Sequence, residues 1–269
     1  MTRHYDFVLG MGTTCHCSQS LRAAGLQLTS LPFDWVGGPE LRKKVEFMVA
    51  GFPGWFEAGT LTQIDSPYTT ARTTAWADRW GFTPVHDFHR GTPFDEERPK
   101  VMAKYRRRID RMFRLLDASE RVLVVYVESP GFPTTSVDEM KEARRLLVGR
   151  WPRARFDFLC LKEAEGRSLC DAADSEDDGI RIVSCDYRDS GGKGKVWCAD
   201  IDALARWFAG EYSVRDYRTD EERKSWRSKA RQTKYAMLNA SGPVDYVLTK
   251  WRYKLYRHLH KKLRRKGLV

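Results

Sequence analysis

An unbroken apolar run at residues 122–127, within RVLVVYVE, constrains the fold of this chain more than any other segment. A strand that is apolar at successive positions has both faces covered, as in a parallel sheet flanked by helices. Similar runs occur at residues 7–9, 156–161 and 180–185, and segments with helical spacing of apolar residues lie between them. This alternation predicts an α/β fold with a largely parallel central sheet flanked by helices.

The chain changes character near residue 211, after which continuous apolar strands are no longer evident. Two helical segments follow, at 220–237 and 244–265, separated by the breaker sequence NASGP. We therefore predict an α/β domain over residues 1–211 and a basic, helical C-terminal extension over residues 212–269. Residues 53–92 show no clear period and predict a long irregular segment, which in a compact domain is often functional.

Several classes of protein are disfavoured by composition. The N-terminal segment MTRHYDFVLGMG lacks the features of a signal peptide, and no apolar run approaches the ~18 residues of a membrane span. We expect a cytoplasmic protein whose six cysteines are reduced. No CxxC pair occurs, so we expect no metal site. The sequence SGGKGK lacks the spacing of a phosphate-binding P-loop, which argues against nucleotide binding.

The C-terminal end carries much of the net charge of +11, since nine residues from 250 to 266 are Lys or Arg and none is acidic. This local excess favours contact with an anionic surface, and without a recognised motif we expect no nucleic-acid binding. The apolar stripe of the last helix either packs on its own domain or lies on a membrane. In the second case the protein is peripheral at the inner membrane face, with contacts from Trp251, Lys254, Lys261 and Arg264.

Cys15 stands where the first apolar strand gives way, through Gly10 and Gly12, to a helical pattern. A thiol at a helix N-terminus feels the positive end of the helix dipole, which favours the nucleophilic thiolate. The alternative is an ordinary packing cysteine, and Cys17 nearby leaves open which of the two thiols reacts.

A cysteine nucleophile needs a histidine base. His16 adjoins the cysteine and cannot face it, His4 precedes the first strand, and His258 and His260 lie in the basic tail. This leaves the segment with His86 and His89. Asp34, in SLPFDW, is a better candidate than Asp87 to orient the imidazole, because it shares a loop region with Cys15.

The first half to two-thirds of the chain resembles a bacterial family of unknown function that is classed as papain-like cysteine peptidases. The resemblance is carried by LG, a cysteine, a helix with LR, SxPFDW and a later HDF, at Leu9, Gly10, Cys15, Leu21, Arg22, Ser30, Pro32, Phe33, Asp34, Trp35, His86, Asp87 and Phe88. It implies a papain-like thiol site at a helix N-terminus, with Cys15 as nucleophile, His86 as base and backbone N–H groups of residues 12–14 holding the oxyanion.

The same resemblance implies a hydrolase or an acyltransferase in cell-surface polysaccharide biosynthesis, acting on a small molecule or glycan. No cofactor is expected, except coenzyme A as acyl donor if the enzyme transfers acyl groups. The alternative is a non-catalytic binding module associated with glycan or membrane. We expect substrate contacts from Gly12, Thr14, Trp35, Asp87, His89 and Arg107, although the arginines at 106–108, 111 and 114 also fit a solvated helix face.

Overall fold

The protein is described by a computed structural model covering residues 2–57, 59–66, 69, 71–129, 131–169, 173–187, 200–224, 229, 233 and 243–265. Its strands are β1 (Arg3–Tyr5), β2 (Phe7–Gly10), β3 (Val36–Gly37), β4 (Leu61–Ile64), β5 (Thr73–Asp78), β6 (Thr83–Pro84), β7 (Phe88–His89), β8 (Arg121–Val127), β9 (Arg155–Glu163), β10 (Ala173–Asp177), β11 (Ile180–Cys185) and β12 (Tyr212–Val214). Its α-helices are α1 (Cys15–Ala23), α2 (Leu41–Val49), α3 (Phe94–Asp117), α4 (Val137–Arg150), α5 (Ile201–Glu211), α6 (Asp220–Lys224) and α7 (Pro243–Arg265), and a 3₁₀ turn spans Pro32–Trp35.

A five-stranded sheet with the order β10-β11-β9-β8-β2 forms the centre of the fold. Strands β2, β8, β9 and β11 run parallel, and β10 pairs antiparallel with β11 at one edge. Each apolar run of the sequence is one of the parallel strands, so the prediction of a largely parallel sheet in an α/β fold is confirmed. The carboxyl ends of the parallel strands lie at one edge, where the candidate site is found.

Helices cover both faces of this sheet. Alternate side chains of a strand point to opposite sides, and the apolar side chains on each side pack against helices. Val124 and Phe158 pack with α2, α3 and α4 on one face, in a core that includes Val45, Met112 and Leu147. Val125 and Leu161 point to the other face and pack against α1 and α5, in a core that includes Leu21, Leu204 and Phe208. The result is a three-layer arrangement that holds α1 against the sheet.

The prediction that residues 53–92 are irregular is wrong. This segment contains β4, β5 and β7, which form a three-stranded antiparallel sheet, while β6 pairs with β3. These strands are between two and six residues long, so their apolar alternation is too brief to stand out from the surrounding Thr, Pro and aromatic residues.

The expectation that strands stop beyond residue 211 is also wrong, because β12 follows α5 directly and pairs parallel with β1. The predicted boundary between residues 211 and 212 therefore falls between two adjacent elements. The predicted helix over 220–237 begins as α6 at Asp220–Lys224, and most of its remainder lies outside the described residues, as do SGGKGK, Cys170 and Cys198. Among the described helices, none combines the length and apolarity needed to cross a bilayer.

Candidate active site

Cys15 is the first residue of α1, just beyond the carboxyl end of β2. The connecting residues still follow β8, since Met11 N donates to the Val125 carbonyl at 2.8 Å and Thr13 N donates to the Val127 carbonyl at 3.3 Å. The loop is thereby fixed along the edge of the sheet before the helix begins. Because the amide of Thr13 is bonded to Val127, it is not directed at a substrate, which removes one donor from the predicted oxyanion group.

A close packing contact fixes Gly12 beneath the start of α1. A Cβ atom at this position would lie 2.3 Å from Cys17 Cβ, so any other residue would push the loop away from the helix. The backbone N–H of Gly12 is directed at Cys17, and its carbonyl accepts a 2.6 Å hydrogen bond from Lys44 Nζ. Gly12 therefore shapes the junction and does not line the cavity described below.

Lys44 reaches this junction from α2, which packs on the face of the sheet opposite to α1. Its side chain is fully buried and its ammonium also donates to the Met11 carbonyl at 3.1 Å. Burial disfavours the charged form and lowers the pKa of Lys44 to about 7. A buried amine thus anchors the loop that carries the thiol.

The described cysteines differ sharply in accessibility. Cys15 is partly exposed on a cavity wall, whereas the side chains of Cys17, Cys160 and Cys185 are buried. Burial raises the pKa of Cys17 and of Cys185 to about 11, and raises that of Cys160 as well. Since a thiolate is the reactive form, these three thiols are poor nucleophiles, and the geometry favours Cys15 over Cys17.

Gln19 lies one helical turn after Cys15 and faces the same side of α1. Its amide nitrogen Nε2 is 3.3 Å from Cys15 Sγ, a distance at which it donates a hydrogen bond to sulfur. The Thr14 side chain does not cap the helix; its hydroxyl is 3.0 Å from Ser129 Oγ and 3.3 Å from His16 Nδ1. A donor and the positive end of the helix dipole therefore both favour a negative charge on Cys15.

A cavity of about 500 Å³ opens beside Cys15. Its walls are mainly apolar and are formed by Trp35, Val36, Pro39, Ile64, Val85, Phe132 and Pro133, together with glycine backbone. The polar lining consists of Thr14, Cys15, His16, Asp65, Ser66, Thr83 and His86. An apolar cleft with a few polar groups near a nucleophile is the usual form of a small-molecule site.

His86 is brought to this cavity by the pairing of β3 with β6, in which Val36 lies opposite Pro84. The imidazole meets the Trp35 ring edge-on, with the ring centroids 6.2 Å apart. Partial burial lowers the pKa of His86, an effect that the neighbouring Asp87 carboxylate opposes. The structure thus places two predicted site residues, Cys15 and His86, on one cavity, with Trp35 and Thr14 beside them.

Asp34 is fully buried and its oxygens are occupied by donors from α1 and the following loop. It pairs with Arg22 and accepts hydrogen bonds from Ser18 Oγ at 3.0 Å, Gln27 Nε2 at 2.6 Å and Leu31 N at 2.7 Å. These contacts lock the 3₁₀ turn against α1 and so fix the direction of Trp35. The proposed role of Asp34 in orienting His86 stays a prediction.

A comparison with protein families extends this geometry. The family described as "Putative papain-like cysteine peptidase (DUF1796)" matches residues 6–143, or 138 of the 269 residues. The chain belongs to this family. The matched segment contains every described cavity residue, from Thr14 to Pro133. An uncharacterized protein of Acanthamoeba polyphaga mimivirus is 25% identical over 196 residues, covering 65% of this chain and 86% of the viral protein. No solved structure matches the chain.

Other predicted substrate-binding residues of this family member lie away from the cavity. Asp87 is buried against α3, where it pairs with Lys104 and accepts a 2.5 Å hydrogen bond from the Tyr105 hydroxyl. His89 Nδ1 is 2.5 Å from Glu97 Oε1, and Arg107 is exposed on α3. The predicted membrane residues lie on α7, with Trp251, Lys254 and Lys261 exposed and the side chain of Arg264 outside the described set.

Three features of the site escaped the sequence analysis. The spacing of Gln19 from Cys15 is the i, i+4 spacing of neighbours on a helix face, so a local signal existed. Lys44 and Phe132 offered none, because long-range packing brings them to the junction and the cavity. Among the described residues, no group of three His, Cys, Asp or Glu side chains could hold a metal ion.

Proposed function

We propose that this protein is a cysteine-dependent acyl-transfer enzyme in which Cys15 is the nucleophile and His86 is the base. The observation that carries the proposal is that the partly exposed thiol of Cys15 and the imidazole of His86 line one cavity, whereas the other described thiols are buried. Membership of a family described as papain-like cysteine peptidases supports the same chemistry. The amide of Gln19 and the dipole of α1 support a thiolate at this position.

The reaction has two steps. In the first, neutral His86 takes the Cys15 thiol proton as the sulfur attacks the acyl carbonyl of the substrate, and the resulting imidazolium gives that proton to the leaving group as its bond to the acyl carbon breaks. In the second, water or a hydroxyl group attacks the thioester while His86 takes the attacking proton, and Cys15 is released as the thiolate. Water gives hydrolysis, and a sugar or another alcohol gives acyl transfer.

The cavity walls favour a substrate with an apolar acyl group. Trp35, Ile64, Val85 and Phe132 line the space beside the thiol, and burying an apolar group there contributes roughly 25 cal/mol per Å². A coenzyme A thioester is one donor that could present such a group. A glycan acceptor in cell-surface polysaccharide biosynthesis stays a prediction from family resemblance.

The proposal is tested with butyryl-coenzyme A and p-nitrophenyl butyrate as separate acyl donors. We expect a covalent butyryl group on the Cys15 peptide, detected by mass spectrometry after acid quenching, and a burst of p-nitrophenol equal to the enzyme concentration. Cys15→Ser abolishes both signals and His86→Ala slows them. His4→Ala is the matched control, because His4 bonds to Ser213 at the amino-terminal end of the parallel strands.

Two results would overturn the proposal. Acylation that persists in Cys15→Ser would place the nucleophile elsewhere, and a wild-type protein that acquires no acyl group from either donor would favour the alternative of a non-catalytic glycan- or membrane-associated module. Adding a simple alcohol to the acylated enzyme then shows whether water or a hydroxyl group accepts the acyl group. Hydrolysis alone gives butyrate, whereas transfer gives the butyryl ester of the alcohol.

A further inference from the structure

The last helix, α7, exposes four apolar residues in its first half, while Leu259 and Leu263 nearer its end are partly buried. Val247, Leu248, Trp251 and Leu255 are 53%, 57%, 74% and 53% exposed, respectively. Their spacing of three or four residues places them on one side of the helix. A helix that packs on its own domain buries such a stripe, and here these four side chains remain uncovered.

The opposite side of α7 is the covered one. Thr249 is buried, and Tyr253, Tyr256 and His260 are partly buried, at a spacing that again defines one side of the helix. The side with hydroxyl and imidazole groups is therefore turned inward, and the aliphatic side with Trp251 is turned outward. This arrangement costs free energy in water and is expected where the outer face has a partner.

Basic side chains flank the exposed stripe. Asp245 is the one acidic residue of Pro243–Arg265, and the exposed basic residues are Lys250, Arg252, Lys254, Arg257, Lys261 and Lys262. The partner of this surface must be apolar at its centre and anionic around it. A second copy of α7 would bring two strongly positive helices together, and a nucleic acid would leave the aliphatic stripe uncovered, so neither fits.

We propose that α7 binds the surface of an anionic lipid bilayer. The membrane contact surface consists of Val247, Leu248, Trp251 and Leu255 with the flanking basic residues. A helix of 23 residues is roughly 34 Å long and lies in the plane of the interface. Its aliphatic side chains and the Trp251 indole enter the headgroup boundary, while lysine and arginine contact lipid phosphates. This binding is independent of Cys15 chemistry, and either can fail without the other.

The full chain is tested by sedimentation with two kinds of vesicle, one of phosphatidylcholine alone and one of phosphatidylcholine with phosphatidylglycerol. We expect binding to the anionic vesicles that is at least tenfold tighter than to the neutral ones and that weakens at high salt, because the charge attraction is screened. Equal binding to both vesicles, or binding to neither, would overturn the proposal.

Two sets of variants separate the apolar from the charged contribution. Leu248→Ser, Trp251→Ser and Leu255→Ser combined should lower affinity for anionic vesicles at least tenfold, whereas Val137→Ser with Val148→Ser, also exposed apolar residues, should not. Lys254→Glu with Lys261→Glu should likewise lower affinity for anionic vesicles at least tenfold. Lys100→Glu with Arg153→Glu makes the same change in net charge at exposed sites off α7 and should reduce binding far less.

These substitutions lie at exposed positions, so circular dichroism and thermal unfolding should match wild type. If the serine variant binds vesicles as tightly as wild type, α7 is not the contact surface. If wild type instead forms a dimer in solution that the serine variant loses, while ignoring vesicles, the stripe is covered by a second copy and the proposal is wrong.

Discussion

Lys44 Nζ lies 2.6 Å from the carbonyl oxygen of Gly12, so a buried amine on α2 holds the turn that presents Cys15. The amine also donates a hydrogen bond to the Met11 carbonyl. Lys44 is thus an ionisable group in the interior, and no carboxylate of the described residues lies within hydrogen-bond distance of its ammonium. Its protonation is therefore coupled to the stability of the fold.

Replacing Lys44 by Met should change the pH dependence of stability. The pKa of Lys44 is about 7 in the folded chain and 10.5 when unfolded, so the unfolded state holds more protons between these values. The Lys44 contribution to the free energy of unfolding therefore rises with pH across this window, by at most ~1.4 kcal/mol per pH unit, and is smallest below pH 7. Urea unfolding of wild type and Lys44→Met at several pH values measures the difference, and a difference that does not vary with pH would contradict the expected coupling.

The rate of acylation of Cys15 should depend on pH through His86. Burial lowers the pKa of His86 below its ordinary value of 6.5, and a histidine base is active when neutral. The rate should therefore rise with pH through a pKa below 6.5 and then level off, and His86→Ala should lose this limb together with about 10²-fold or more of the rate. Stopped-flow release of p-nitrophenol gives the profile. If the acylation rate of His86→Ala rises with pH over the same range as that of wild type, the proton transfer belongs to another group.

Replacing Gln19 by Leu should raise the pKa of the Cys15 thiol, because a donor to the thiolate is removed. A hydrogen bond to a charged group contributes about 1.5 kcal/mol, so the thiolate population at neutral pH should fall about tenfold. Iodoacetamide modification of the Cys15 peptide, followed by mass spectrometry, should slow about tenfold at neutral pH and recover at high pH. Gln63→Leu, on the exposed face of β4, is the control. Slow modification at every pH would instead indicate a blocked cavity.

Replacing Asp34 by Asn should destabilise the protein, because it leaves the Arg22 charge buried without its partner. Breaking a buried ion pair costs ~3–5 kcal/mol, whereas Asp220→Asn, in an exposed pair with Arg223, should change the free energy of unfolding far less. Urea unfolding measures both. If Asp34→Asn unfolds like wild type but loses the pH limb assigned to His86, Asp34 orients the imidazole as the sequence suggested.

The central sheet was predictable because each of its parallel strands contains a predominantly apolar run, which can be recognised without knowledge of its neighbours. The small antiparallel strands were not, since Val36–Gly37 and Thr83–Pro84 are two residues each and depend on one another. Pairing of β3 with β6 is what brings His86 to the cavity. Elimination among the histidines singled out the segment with His86, but it also set aside His16, which lines the same cavity, and the role of His86 as base stays a prediction.

The buried network around Asp34 shows a different limit of sequence reasoning. A loop aspartate near a cysteine can orient a catalytic histidine or can hold the loop in place through hydrogen bonds. Which of these it does depends on the hydrogen-bond donors that surround it in the folded chain. Ser18, Gln27 and the Leu31 amide all do so in the folded chain. The same limit applies to α7, whose amphipathic pattern was clear while the side that it exposes was not.

The pairing of β1 with β12 has a consequence for how the chain is made. Arg3 lies opposite Tyr212, so among the described strands β1 has none to pair with until more than two hundred further residues have left the ribosome. Contacts of such sequence separation form late, because closing a long loop costs entropy before any contact repays it. During synthesis, the segment with Cys15 can therefore form its contacts with Lys44, Asp34 and β8 before β1 is paired, and that last pairing waits for Tyr212–Val214.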